Sequence, residues 1–157
     1  IGDVQKELMD LPNALISYRV GQIIHEKLVK QDPFNAQWQH ELCINYNNLG
    51  NVLLCQNDTS SALTFFLEDI KISEKLAKQN PYNALWQRDY SNSLICFVRI
   101  YITKRDITKA LLYAEKSLAI SEHLTALDPT NAIWKNDVTI IRNVVIQLRN
   151  IVNSGTT

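Results

Sequence analysis

The stretch DPFNAQWQ at residues 32–39 recurs as NPYNALWQ at residues 80–87 and as DPTNAIWK at residues 128–135. Each copy begins 48 residues after the one before it. Self-similarity at a fixed period of this length is typical of repeat architectures, in which each unit buries its apolar face against its neighbours. The sequence therefore predicts a chain built from stacked repeats.

The same register holds along the rest of the chain. Ala-Leu pairs stand at residues 14–15, 62–63 and 110–111, and a glutamate recurs at residues 26, 74 and 122. We predict one domain over residues 1–157, made of a partial repeat (1–31), two repeats (32–79 and 80–127) and a last segment (128–157). That segment is the first helix of a further repeat or a cap. Because the chain starts inside a repeat and without a methionine, we expect it to be a fragment of a larger protein.

Each full repeat is predicted to form two helices. The first runs from about Asn35 to Gln56 with Asn35 as its N-cap, and its apolar residues are spaced three or four apart: Trp38, Leu42, Tyr46, Leu49 and Leu53. The second runs from about Thr59 to Gln79, with the inward residues Ala62, Leu63, Phe66, Ile70 and Leu76. Its predicted N-cap is Asp58, with Asp10 and Asp106 in the other copies. Because so few residues separate the helices, each pair should form an antiparallel hairpin.

Composition favours a globular protein and excludes several partners. The chain is 46% hydrophobic and 20% charged, with 16 basic and 16 acidic residues, so no net field attracts nucleic acid or anionic lipid. No signal peptide or membrane span is apparent. The cysteines lack metal-ligand spacing and are predicted to be reduced core thiols: Cys43, Cys55 and Cys96. We expect a cytoplasmic location, and the frequent Asn and Ile favour an AT-rich, bacterial genome.

We expect no catalytic activity, metal or cofactor. His40 and Cys43 are three apart on one predicted helix, but nothing in the sequence supplies an orienting group or an oxyanion site for them. There is also no Gly-rich phosphate loop and no zinc-binding helix motif. The tryptophans Trp38, Trp86 and Trp134 lie on the core-facing stripe, so we interpret them as wedges between repeats. The recurring glutamates are likewise predicted to be structural.

At Leu49-Gly50, Ala62 and Phe66 the chain resembles the tetratricopeptide repeat, and the resemblance covers essentially its whole length. It implies an all-α fold, an α-solenoid of antiparallel helix hairpins that winds into a right-handed superhelix. The period of 48 exceeds the usual period of roughly 34 residues, as in the longer repeats of kinesin light chains and many bacterial signalling proteins. The small glycine of the motif is present at Gly2 and Gly50 but is replaced in the later repeats by Val98 and Ile146.

The resemblance also implies a binding surface, because first helices line the concave face of such solenoids and receive an extended or helical peptide there. By register the candidates are Ile44, Asn47, Asn51 and Leu54, then Asn92, Ile95, Arg99 and Ile102, then Ile140, Asn143, Gln147 and Asn150. Amides can hydrogen-bond a peptide backbone, and isoleucines can provide apolar contacts. The alternative is that these are ordinary solvated helix faces. Since Arg99 is the one cation among them, we do not expect the binding of acidic chaperone tails known for other members.

The preferred hypothesis is therefore an interaction module or scaffold that binds a protein or peptide on its concave face. The alternative is a structural or oligomerisation segment of a larger sensor, signalling protein or enzyme, with self-association through exposed end helices. In the last helix, Arg142 and Arg149 replace residues that are apolar in the earlier first helices. This helix is either a terminal cap with a solvated face or a surface that docks on another domain or a second copy.

Overall fold

A computed structural model describes the backbone of residues 2–154 and the side chains of residues 11–154. Within this part the chain is helical throughout, apart from short turns, and contains no strand. The helices are α1 (Gly2–Gln31), α2 (Ala36–Cys55), α3 (Thr59–Gln79), α4 (Ala84–Thr103), α5 (Ile107–Leu127) and α6 (Ala132–Ser154). The all-α fold is confirmed, and the helix bounds agree with the predicted ones to within a residue in the first full repeat.

The recurring Asn-Ala-x-Trp motif starts the first helix of each repeat. The side-chain oxygen of Asn35 accepts a hydrogen bond from the backbone N–H of Trp38 at 3.1 Å. Asn83 and Asn131 cap Trp86 and Trp134 in the same way, at 3.1 and 3.2 Å. An N-cap side chain satisfies one of the backbone donors that a helix start leaves without an internal partner. The predicted caps are confirmed, and all three tryptophans are half-buried.

The second helices of the two full repeats are capped by aspartates, as predicted. Asp58 accepts from the N–H of Ser61 at 3.0 Å, and Asp106 accepts from the N–H of Lys109 at 3.1 Å. The residue before each aspartate has a positive φ, 63° at Asn57 and 58° at Arg105, which turns the chain back between the paired helices.

The predicted cap at Asp10 is wrong. Its side chain lies outside the described residues, but α1 continues without a break from Gly2 to Gln31 and so passes through this position. Turns in the full repeats have a left-handed residue before the aspartate, Asn57 in one and Arg105 in the other. Met9 stands at the position that Asn57 occupies one period later, and the backbone remains helical there.

The chain divides into two compact units, unit 1 (Ile1–Ile72) and unit 2 (Ser73–Thr157), with the boundary inside α3. The prediction of one domain stays a prediction, as does the superhelical handedness. In unit 1 the core is formed by buried residues of α2 and α3, among them Leu42, Leu49, Leu53, Ala62 and Phe66. In unit 2 a core cluster joins α4, α5 and α6 through Val98, Ala110, Ala114, Val145 and Leu148.

Two of the three cysteines are core residues, as predicted. Cys43 and Cys96 are buried, whereas Cys55 is exposed. Cys55 is the last residue of α2, directly before the turn into α3, and it lies on the outer side of the helix end. The prediction was wrong for Cys55 because the apolar pattern of the helix runs into its final turn, where burial ends.

Candidate functional site

The first helix α2 has one exposed face. Its more accessible residues are spaced four and three apart, as one side of a helix requires: Gln37, Glu41, Ile44, Asn48, Asn51 and Cys55. Ile44 is 42% exposed at the middle of this face, which is high for a large apolar side chain. We call this set the α2 face. Glu41 and Asn48 belong to it but were not among the predicted site residues, although their spacing of three and four from Ile44 could have identified them.

Asn47 does not lie on the α2 face. Its Nδ2 donates to Asp69 Oδ2 of α3 at 2.9 Å, and its Oδ1 accepts from Asn51 Nδ2 at 2.8 Å. Asp69 is 1% exposed, and the thiol of Cys43 donates to its Oδ1 at 2.8 Å. A buried carboxylate needs such donors, because an unpaired buried charge is strongly destabilising. The amide of Asn47 is thus engaged inside the α2–α3 hairpin, while Leu54 is half-buried near the end of α2.

In unit 2 some of the predicted residues of α4 are likewise exposed, and one packs against the core. Asn92 and Arg99 are exposed, and Ile102 is 43% exposed. Ile95 is only half-buried but packs against the core cluster of unit 2. Its side chain therefore contributes to the hairpin core as well as to the outer face.

The predicted residues of α6, Asn143 and Gln147, are exposed. An ion pair joins α6 to α4: Arg88 Nε donates to Asp137 Oδ2 at 2.7 Å, and both side chains are partly buried. The hydrogen bond to Asp137 raises the pKa of Arg88, against the effect of its partial burial. Within unit 2 the two first helices are therefore neighbours, and the structure brings the exposed predicted residues of α4 and α6 into one unit.

The recurring glutamates tie second helices to first helices. Glu26 accepts from the hydroxyl of Tyr46 at 2.9 Å, and Glu74 accepts from the hydroxyl of Tyr90 at 3.4 Å. Burial, and then the Glu74 carboxylate, raise the pKa of Tyr90 to about 12. The third glutamate, Glu122, accepts from Arg142 at 2.7 Å. Their predicted structural role is confirmed by these contacts.

The arginines of the last helix have partners on α5. Arg142 bonds Glu122, and Arg149 donates to Glu115 through Nε at 3.0 Å and through a terminal nitrogen at 2.7 Å. All four side chains are between 40% and 56% exposed, so these pairs are worth little to stability individually. The face that carries them is solvated in the structure, and the opposite stripe is buried at Val138, Ile141, Val145 and Leu148.

A pocket of about 240 Å³ lies between α1 and α2, next to the α2 face. We call it the α1/α2 pocket, and it is lined by Tyr18, His25, Glu41, Ile44, Asn45 and Asn48. A second, wider groove of about 630 Å³ runs along the last turns of α1, where Ile23, Val29 and Pro33 are flanked by Lys27 and Lys30. Only the first of these shares residues with the α2 face.

The two residues considered for catalysis are both buried. His40 is buried, and Cys43 is hydrogen-bonded to the buried carboxylate of Asp69. Among the side chains of residues 11–154, no group of three His, Cys, Asp or Glu residues is arranged as metal ligands would be. Over the same residues, none of the helices combines the length and apolar character needed to span a membrane.

Residues 46–81 match the protein family described as Tetratricopeptide repeat. This segment contains Leu49-Gly50, Ala62 and Phe66, which carry the motif, and the structure places Phe66 under Gly50 inside the α2–α3 hairpin. The segment of residues 46–81 is thus a tetratricopeptide repeat. No curated protein matches the chain.

Tetratricopeptide repeats are generally non-catalytic modules that mediate protein–protein interaction or scaffolding. Here the match covers one repeat, and the 48-residue register extends the same pattern of hairpins to α4 and α5. The repeat architecture accounts for the polar caps, the buried stripes and the glutamate ties. It leaves the exposed faces of the first helices and the α1/α2 pocket without a structural role.

Proposed function

We propose that this chain binds a peptide or protein segment on the outward faces of its first helices. The observation that supports the proposal is the mixed chemistry of these faces. Apolar side chains such as Ile44 and Ile102 are more than 40% exposed, and exposed amides such as Asn92 and Asn143 also lie on first helices. Exposed apolar residues give contact area, and amide side chains can both donate hydrogen bonds to a peptide backbone and accept them from it. The surface therefore suits a protein segment better than a small molecule.

The predicted residues do not contribute equally to this proposal. Asn92, Arg99, Ile102, Asn143 and Gln147 are accessible, and Ile44 is accessible on the α2 face. Asn47 and Asn51 are hydrogen-bonded to each other, so a change at either would disturb the hairpin as well as the surface. Ile44, Asn92 and Asn143 are therefore the better positions to test.

The test is affinity capture from a cell lysate with the native chain and with the variant Ile44→Ala/Asn92→Ala/Asn143→Ala. A control variant, Leu67→Ala, removes a side chain that is also 42% exposed but lies on the second helix α3. We expect a protein that is captured by the native chain and the control and lost with the triple variant, at unchanged helical content. Equal capture by all three chains would refute binding through this surface.

A second candidate function is self-association, and it rests on α1. Ile16, Val20 and Ile23 are 63%, 52% and 69% exposed and lie on one side of this helix. One period later the corresponding residues are Thr64, Glu68 and Lys71. An apolar stripe where the next repeat is polar favours a contact with another apolar surface.

Light scattering tests this candidate with a variant that carries the residues of the next repeat, Ile16→Thr/Val20→Glu/Ile23→Lys. If α1 mediates a dimer, the native chain should have twice the monomer mass and the variant the monomer mass. A monomeric native chain at all concentrations tested would remove this candidate and leave the stripe as a solvated surface.

A further inference from the structure

Two residues that line the α1/α2 pocket each have a buried polar atom without a hydrogen-bond partner among the described residues. These atoms are Asn45 Oδ1 and His25 Nδ1. Asn45 is only 7% exposed. The carboxylate oxygen Glu41 Oε2 lies 3.6 Å from His25 Nδ1, and this distance is longer than a hydrogen bond. Because buried polar groups are almost always paired, such atoms call for a specific explanation.

Gly21 on α1 orients the amide of Asn45. A Cβ built at Gly21 would lie 2.5 Å from Asn45 Nδ2, so the amide in its present position fits against a glycine. The nitrogen of the amide therefore packs on the bare backbone of α1. The oxygen has no donor among the described residues and almost no accessible surface, and a small rotation of the side chain toward the pocket would let a ligand with N–H groups satisfy it.

The charge of the pocket selects among ligands with N–H groups. Glu41 contributes a carboxylate, and no lysine or arginine is among the six residues that line the pocket. An anion would be repelled by Glu41, whereas an ammonium or guanidinium group could bond Glu41 and Asn45 together. The Tyr18 ring offers a face for a cation, and Ile44 offers an apolar surface for an aliphatic stem.

The size of the pocket limits what it can hold. Small-molecule sites usually enclose about 300–1,000 Å³, and this pocket has about 240 Å³. That volume suits one side chain better than a whole metabolite. Since Glu41, Ile44 and Asn48 belong both to the pocket and to the α2 face, a segment bound on that face would pass the mouth of the pocket.

We infer that the α1/α2 pocket binds the head group of a lysine or arginine side chain carried by the segment held on the α2 face. The partner is thus a segment with a basic residue rather than an acidic tail. This inference rests on the proposed function for its context. It concerns a separate set of contacts, made by Glu41, Asn45 and Tyr18.

The direct test is titration of the ¹⁵N-labelled chain with four probes, followed by NMR of the side-chain amides of Asn45 and Asn48. The probes are N-acetyl-arginine amide, N-acetyl-lysine amide, the uncharged isostere N-acetyl-norleucine amide, and putrescine. We expect saturable shifts with the arginine or lysine probe and none with the norleucine probe. Shifts with putrescine alone would overturn the assignment to a peptide side chain, and no shifts with either cationic amino-acid probe would overturn the inference.

Two variants define the contacts. Glu41→Gln removes the charge, and because Glu41 is 41% exposed we expect the affinity for the cationic probe to fall about fivefold. Asp89→Asn is the matched control, since Asp89 stands 48 residues after Glu41 on α4, and it should leave the affinity unchanged. Asn45→Ser introduces the residue found at the same position of the next repeat, Ser93, and should also weaken binding. Equal affinity in Glu41→Gln and in the native chain would overturn the role of the carboxylate.

The two proposals fail in different experiments. If the cationic probes bind but capture from lysate survives the Ile44→Ala/Asn92→Ala/Asn143→Ala change, the proposed function is wrong and the pocket stands. If capture depends on that surface but neither cationic amino-acid probe shifts Asn45 or Asn48, the pocket assignment is wrong and the proposed function stands.

Discussion

The α2–α3 and α4–α5 hairpins fill the same contact in opposite ways. In the first, Gly50 on the first helix faces the ring of Phe66, which is fully buried. In the second, the positions 48 residues later hold Val98 and Ala114, both within the core cluster of unit 2. The first hairpin thus pairs a small residue with a large one, and the second pairs a residue of medium size with a small one. The total side-chain volume at the two positions is therefore similar in both hairpins, although both residue types differ.

The polar contact deeper in the hairpin differs in the same paired way. In the first repeat the thiol of Cys43 bonds the buried carboxylate of Asp69. In the second, the equivalent residues are Ser91 and Ser117, whose hydroxyl oxygens are 2.7 Å apart. Each hairpin therefore satisfies the polar atoms of this pair locally, but only the first buries a carboxylate here, which requires additional donors such as Asn47.

The largest effects are expected from breaking the Gly50–Phe66 contact. A Cβ at residue 50 would lie 2.6 Å from Phe66 Cδ1 and 2.8 Å from its Cζ. Gly50→Val should therefore cost about 1–3 kcal/mol through overpacking, and Phe66→Ala about 3–5 kcal/mol through the cavity it leaves. The double variant recreates the Val98 and Ala114 pair of the second hairpin. Its free energy of unfolding in urea should lie at least about 1 kcal/mol above the value expected from adding the two single losses.

Additive losses in this cycle would contradict the idea that the two positions are filled as a pair. Gly21→Ala is a useful control, because its Cβ would meet only the end of the Asn45 side chain, which can move, and not a buried ring. Alanine also favours the helix by up to about 1 kcal/mol over glycine. The Gly21→Ala chain should therefore be destabilised far less than the Gly50→Val chain.

A second, smaller loss of stability is expected at Asp69, the buried carboxylate that the second hairpin lacks at the equivalent position. In the native chain Asp69 Oδ2 accepts from the Asn47 amide at 2.9 Å. Asn47→Asp replaces this amide with a second carboxylate. We expect a loss of roughly 2 kcal/mol at pH 7, because a donor is replaced by a like charge near a buried group. The loss should shrink as the pH falls, because a proton on either carboxyl removes the like-charge contact and is bound more readily in the folded variant.

Asn48→Asp is the control for this prediction. It makes the same chemical change at the next residue, which is also half-buried but lines the α1/α2 pocket and does not belong to the Asp69 network. Its effect on the unfolding midpoint should be within about 0.5 kcal/mol of zero. Equal losses for the two variants would show that Asn47 is not oriented into the hairpin.

Much of the fold could be predicted from the sequence. The helices, their asparagine and aspartate caps and the glutamate ties follow from local patterns that recur every 48 residues, and the structure confirms them in both full repeats. The helix break predicted at Asp10 does not occur, because the turn also needs a left-handed residue before the aspartate. The pattern of aspartates alone does not carry that information.

The site was less predictable because adjacent residues on one helix face different surroundings. Asn47 and Asn48 are the same residue type, and the register carried over from the tetratricopeptide resemblance assigned the first to the outer face. The buried Asp69, on another helix, holds Asn47 in the hairpin and leaves Asn48 outside. The α1/α2 pocket was also missed, since Tyr18 and His25 meet Asn45 only through packing of α1 against α2.

A third prediction concerns a feature that the two repeats share. Asn35 and Asn83 cap α2 and α4 with the same geometry, each accepting from the tryptophan N–H at 3.1 Å. Asn35→Ala and Asn83→Ala should each lower the free energy of unfolding by about 1 kcal/mol. Urea midpoints for the two variants should agree with each other. A loss confined to one of them would show that the caps differ in strength despite their equal geometry.

The smallest expected difference lies between the aspartate caps Asp58 and Asp106. Hydrogen bonds from Ser61 hold the pKa of Asp58 below its ordinary value, and those from Lys109 do the same for Asp106. Only Asp106 also pairs with a charge, Lys109 Nζ at 3.0 Å. A lowered folded-state pKa means that the unfolded chain binds more protons in acid. Both contributions are therefore complete above about pH 4 and are lost as the pH falls through the folded-state pKa.

Melting temperatures of Asp58→Asn and Asp106→Asn, each compared with the native chain, test this difference. Asparagine keeps a capping oxygen and removes the charge, so both variants should melt below the native chain at pH 7 and approach it at pH 2. At pH 7 the Asp106→Asn difference should shrink more in 1 M NaCl, because salt screens the exposed pair with Lys109. If the two variants respond equally to salt, the ion pair adds nothing to the Asp106 cap, and the two repeats are equivalent at this turn.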